Sequence, residues 1–161
     1  LLITLTITEG DVGLSSGKFL LFRLEVDEDG WPPVGVESLP VKEQGEGLFQ
    51  ILVPPLFIKN LSVNDVVAAE TDSEGYVTSW AHTSKSKRTT IWVLQGTADN
   101  LGPLIDDMLS DGGNVERFNQ IKLLSFDVPE SVSTEKLDMW LRTIEAAGAI
   151  IAEPSFRHLA R

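Results

Sequence analysis

Proton transfer near neutral pH calls for imidazole, and this chain of 161 residues has two histidines, His82 and His158. His82 falls on an alternating stretch between Trp80 and Ser84, with Lys85, Lys87 and Arg88 close behind. His158 falls next to the C-terminal end, where fraying is the ordinary expectation. A hydrolase or transferase built on His82 and a carboxylate is one reading, and a plain surface or polar-face histidine is the simpler one. Paired acids stand at Asp106-Asp107 and at Asp27 and Asp29. Sequence neighbours diverge on a helix and neither pair has a histidine beside it, so both predict solvated faces and not a divalent-metal site. With no cysteine in the chain, disulfides, thiolate metal sites and thiol nucleophiles are excluded. Gly10-x-x-Gly13 and Gly112-Gly113 lack the spacing and the lysine of a phosphate-binding loop. The set therefore predicts no catalytic residue, no metal and no cofactor.

Recognition chemistry is better supplied. Residues 27 to 39 read DEDGWPPVGVESL, three acids and a tryptophan ahead of an alternating strand. Trp31 could present a large rigid surface while Glu37 fixes a donor. The plainer alternative is a corner, with Trp31 packed over Pro32 and Pro33 and Glu37 capping a turn amide. A second acidic turn reads Asp72-Ser73-Glu74-Gly75. Partner contact is accordingly assigned to Asp27, Glu28, Asp29, Trp31, Asp72 and Glu74.

Charge sets the class of partner. Residues 1–88 hold 13 acids against 7 bases and residues 89–161 hold 11 against 6, so the net charge of −11 is spread along the chain and is not a tail. Such a field repels phosphate backbones and anionic lipid and speeds encounter with basic proteins. Lys85, Lys87 and Arg88 are too few for a nucleic-acid face and could instead neutralise acids within the fold. No apolar run approaches the roughly 18 to 20 residues of a membrane helix. The opening LLITLTIT alternates and has no basic flank, so it reads as a strand and not a signal peptide, with cytoplasm the default location.

Period two dominates the first half. Leu20, Phe22, Leu24 and Val26 alternate with charged residues, and apolar runs at 48–54, 66–69, 76–83 and 88–95 are separated by Gly, Pro and Asp turns. The expectation for residues 1–88 is a small all-β barrel or sandwich. The second half changes period. Leu101, Leu104, Ile105, Met108 and Leu109 form a helical stripe with Asp99 or Asn100 available as cap. Strands follow at 115–118 and 121–128, then a helix capped by Ser133 with Leu137, Trp140, Leu141 and Ile144 inward, and a last strand from Ala149. Residues 89–161 thus predict a ferredoxin-like β-α-β-β-α-β subdomain, the whole chain being α+β and packed as one compact body.

The run Asp29-Gly-Trp-Pro-Pro-Val34-x-Val-Glu37-Ser-Leu39 carries a resemblance, with Val53-Pro-Pro-x-Phe57, Leu61-Ser-Val-x-Asp65-Val-Val67 and the polar hairpin before Ile91-Trp-Val. Together these resemble a bacterial family known as domain of unknown function 4265, from about residue 18 to about residue 158. The resemblance implies no activity and no site residue.

Strong acidity without a catalytic set points to a non-enzymatic binding protein that neutralises a basic protein partner, in particular an immunity (antitoxin) protein for a bacterial toxin. No nucleic acid or membrane is expected as partner, and the chain is expected to be a monomer or weak dimer. The alternative is a small-molecule-sensing or regulatory module with a pocket between the halves.

Overall fold

The computed structural model describes residues 17–158, so the alternating stretch at residues 1–8 lies outside it. The described residues are mostly β with two α-helices, in two antiparallel sheets, and divide into two units. The first unit takes residues 17–52 and 64–85, and the second takes 53–63 and 86–158.

The first unit is a five-stranded sheet in sequence order: β1 (Lys18–Arg23), β2 (Val36–Gly45), β3 (Leu48–Ile51), β4 (Val66–Thr71) and β5 (Val77–Ser84). Each strand pairs antiparallel with the next; glycine-containing turns return the chain directly between β2 and β3 and between β4 and β5, while residues 24–35 join β1 to β2 and residues 52–65 join β3 to β4. It is not a closed barrel. Among the described residues its edge strands share no ladder; an isolated parallel bridge joins Leu21 of β1 to Tyr76, just before β5. The alternation read in β1 holds, with Leu20 and Phe22 buried and Phe19 and Arg23 exposed. Glu37, read as fixing a partner's donor or capping a turn amide, is buried. Its partner in register is Phe22, so it shares the apolar face with Leu20 and Leu39 and is only 2% exposed.

The second unit contains β6 (Thr89–Leu94), α1 (Gly102–Ser110), β7 (Asn114–Phe118), β8 (Leu123–Val128), α2 (Thr134–Ala146) and β9 (Ile150–Ser155), with strand order β7-β8-β6-β9. All its pairings are antiparallel. Ile91 and Val93 of β6 and Leu124, Phe126 and Val128 of β8 form one core with Leu104, Ile105 and Met108 of α1 and Leu137, Trp140 and Ile144 of α2. Ser133 caps α2 as read, its hydroxyl accepting from the Lys136 amide. Neither Asp99 nor Asn100 caps α1. Asn100 is in the left-handed region, and the cap position falls to buried Leu101, which makes no side-chain cap bond. Asp107 is also less solvated than expected, since the Trp140 indole donates to it at 2.8 Å and Lys136 pairs with it and with Asp111. Those contacts hold the Lys136 ammonium above its ordinary pKa, the Asp111 hydrogen bond contributing most.

The other face of this sheet is covered by residues 53–63. The Pro55 carbonyl accepts from the Trp92 indole at 2.7 Å and from the Ser125 hydroxyl at 2.6 Å, while Ser62 joins Thr90 and Ser155 in a buried hydroxyl chain. Consecutive prolines suit this role, because a covering segment without strand conformation leaves its carbonyls for side-chain donors. Ser125→Ala is expected to lower folding stability by about 1 kcal/mol in a denaturant titration, the Trp92 bond to the same carbonyl remaining. No loss would contradict this anchoring.

Candidate functional site

The two acidic turns proposed for partner contact have the same construction. Asp27-Glu28-Asp29-Gly30-Trp31 follows β1, and Asp72-Ser73-Glu74-Gly75-Tyr76 joins β4 to β5. In the first, Asp27 Oδ1 accepts from the Asp29 amide at 2.9 Å and the Trp31 amide at 2.9 Å. In the second, Asp72 Oδ1 accepts from the Glu74 amide at 2.9 Å and the Tyr76 amide at 3.0 Å. Each glycine amide donates to the aspartate carbonyl, and each aspartate amide donates to the carbonyl of the aromatic residue. Gly30 at φ +79° and Gly75 at φ +89° sit in the left-handed region that closes both turns, which is why glycine stands at the fourth position of each.

This divides the six proposed residues by role. Asp27 and Asp72 are builders, each with one oxygen engaged by two backbone amides. Glu28, Asp29 and Glu74 are exposed and form no ion pair among the described residues. Trp31 is 42% exposed, and the buried member of its corner is Pro32. Arg23, the last residue of β1, links the two turns: it precedes the first and reaches Asp72 of the second at 3.4 Å, its guanidinium carbon 3.9 Å from the centre of the Tyr76 ring. The Tyr76 amide, with the Glu74 amide and Arg23, holds the Asp72 carboxyl below its ordinary value. Folding favours the ionised form, so this turn is firmest above the ordinary carboxylate pKa and loosens as the pH falls below it.

His82 does meet a carboxylate. Its Nε2 lies 2.9 Å from Oδ2 of Asp65, which is fully buried, and its ring packs edge-on to Trp80 at 5.3 Å. Sequence neighbours suggested basic surroundings, yet Asp65 is the group beside it, because the β4–β5 register sets Val67 against His82 next to the turn that carries Asp65. The pair supplies the orienting contact of an acid–base dyad. Neither residue lines the concavity described below.

Two other polar centres belong to the second unit. Arg88 binds Asp127 in a fork, Nε to Oδ1 at 2.8 Å and a terminal nitrogen to Oδ2 at 2.6 Å, and it also donates to the Gly112 carbonyl. Asp127 holds the Arg88 guanidinium above its ordinary pKa through that hydrogen bond. Lys87 pairs with Glu130 at 3.5 Å. These contacts agree with the reading of the basic island as a set of internal neutralisers. His158 is not frayed but buried. Its Nδ1 meets Thr89 Oγ1 at 2.6 Å and its Nε2 donates to the Pro129 carbonyl at 3.0 Å, so both ring nitrogens are committed to structure. A concavity of about 830 Å³ opens beside the start of α2, where Lys87 and Arg157 face Glu130, Glu135 and Asp138. Among the described residues no group of three or more histidine or acidic side chains is placed to hold a metal ion.

Three features escaped the sequence reading: the identity of the two turns, the Asp65–His82 contact and the Arg88–Asp127 fork. The first was legible as Asp-x-acid-Gly-aromatic occurring twice. The third had a signal in Asp127 itself, an acid inside the apolar run LLSFDV, since a buried carboxylate implies a partner. No pattern announced the second.

The fold and these centres define an α+β protein of two antiparallel sheets with acidic turns in one unit and internal ion pairs in both. The same fold occurs in a solved structure titled as a novel crystal structure of a hypothetical protein from Neisseria gonorrhoeae, similar at a TM-score of 0.66 and 20% identity over 89% of this chain and 97% of that one. The chain belongs to the family described as a domain of unknown function (DUF4265), whose family model matches residues 37–151. No curated protein matches it in sequence. Among the described residues no helix is long and apolar enough to cross a membrane.

Proposed function

We propose that this chain is an acidic, non-enzymatic binding protein of the cytoplasm that neutralises a basic protein partner, and specifically an immunity (antitoxin) protein for a bacterial toxin. The observation that carries the reading is the pair of like-built turns, which hold Glu28, Asp29 and Glu74 outward on closed backbone frames. A preformed acidic surface loses little entropy on binding and gains association rate from steering, which is what masking a cationic cleft requires. The net charge of −11 supplies the long-range field. The second unit is read as ferredoxin-like, a reading supported by its element order, its β7-β8-β6-β9 sheet and two helices on one face.

The test is capture from the native host with the full chain as bait at low and high salt. The reading expects a basic protein retained at low salt and released at high salt. Retention of acidic or neutral proteins only, insensitive to salt, would overturn it. The second reading, a small-molecule-sensing or regulatory module, has in its favour the concavity of about 830 Å³ with its mixed charges beside α2.

A further inference from the structure

We draw no further inference here: the strongest candidate, the concavity beside the start of α2, carries none because its cations are met within the chain, Lys87 by Glu130 and Arg157 by the Ser86 carbonyl, and nothing in the structure shows what would occupy it.

Discussion

Replacing Arg88 with alanine is expected to lower folding stability by about 3 to 5 kcal/mol. Asp127 has a fully buried side chain, and two of its hydrogen bonds come from the Arg88 fork, with Asn114 Nδ2 donating a third at 2.8 Å. Removing the guanidinium leaves a buried carboxylate with one neutral donor, and stranding such a charge is where the large cost arises. The reverse change should be milder. The Arg88 side chain is 20% exposed, so in Asp127→Asn it can still reach water and the Gly112 carbonyl, and a loss of about 1 to 2 kcal/mol is expected. Denaturant midpoints at unchanged slope would read both values. A loss below about 1 kcal/mol for Arg88→Ala, or a loss for Asp127→Asn that exceeds the one for Arg88→Ala, would contradict this account of the fork.

Gly113→Ala is expected to be as damaging, for a purely steric reason. A Cβ at this position would lie 2.5 Å from the Asp127 carbonyl oxygen and 2.9 Å from that of Met108. Both obstacles are backbone, so no rotamer change relieves them, and β7 must shift away from either β8 or the end of α1. Gly113 also donates its amide to the Met108 carbonyl, so any shift weakens the turn that returns the chain from helix to strand. The expected loss is about 3 kcal/mol, at the upper end of overpacking effects. Because Gly113 and Arg88 act on the same residue, Asp127, the double variant should lose measurably less than the sum of the singles. Strict additivity would show that the two positions are independent.

The contrast between these sites and the acidic turns explains what was legible in the sequence. Period-two stretches and helical stripes located both helices and the described strands other than β2 to within a few residues, β2 being legible only at its start, because burial of one face imposes that spacing whatever the partner. Ser133 was legible as a cap because its effect is local. Alternation sets Glu37 opposite Val36 but gives relative and not absolute facing; that its side is buried follows from the β1–β2 register, which places it against Phe22. Asp99 and Asn100 looked like caps by type, but the backbone at Asn100 turns left-handed and burial of Leu101 starts the helix. His82 and Asp65, 17 positions apart, meet only through strand register, which residue types do not announce. His158 was assigned to a frayed end from its position alone, and three residues far from it in sequence order hold the chain there: Thr89 and Pro129 through the ring, and Ser86 through neighbouring Arg157. The acidic turns are legible in the sequence as charge alone. Their builders and their outward acids became distinguishable only once the amide hydrogen bonds were in view.

The most direct test of the central claim is the association rate of a captured basic partner with the native chain and with Glu28→Gln/Asp29→Asn/Glu74→Gln, measured across ionic strength. These three changes leave Asp27, Asp72 and both glycines in place, so the turns persist while their outward charge is removed. The account predicts association slowed about tenfold or more at low salt, with the difference fading as salt is raised. Equal rates for the two proteins at every ionic strength would contradict it.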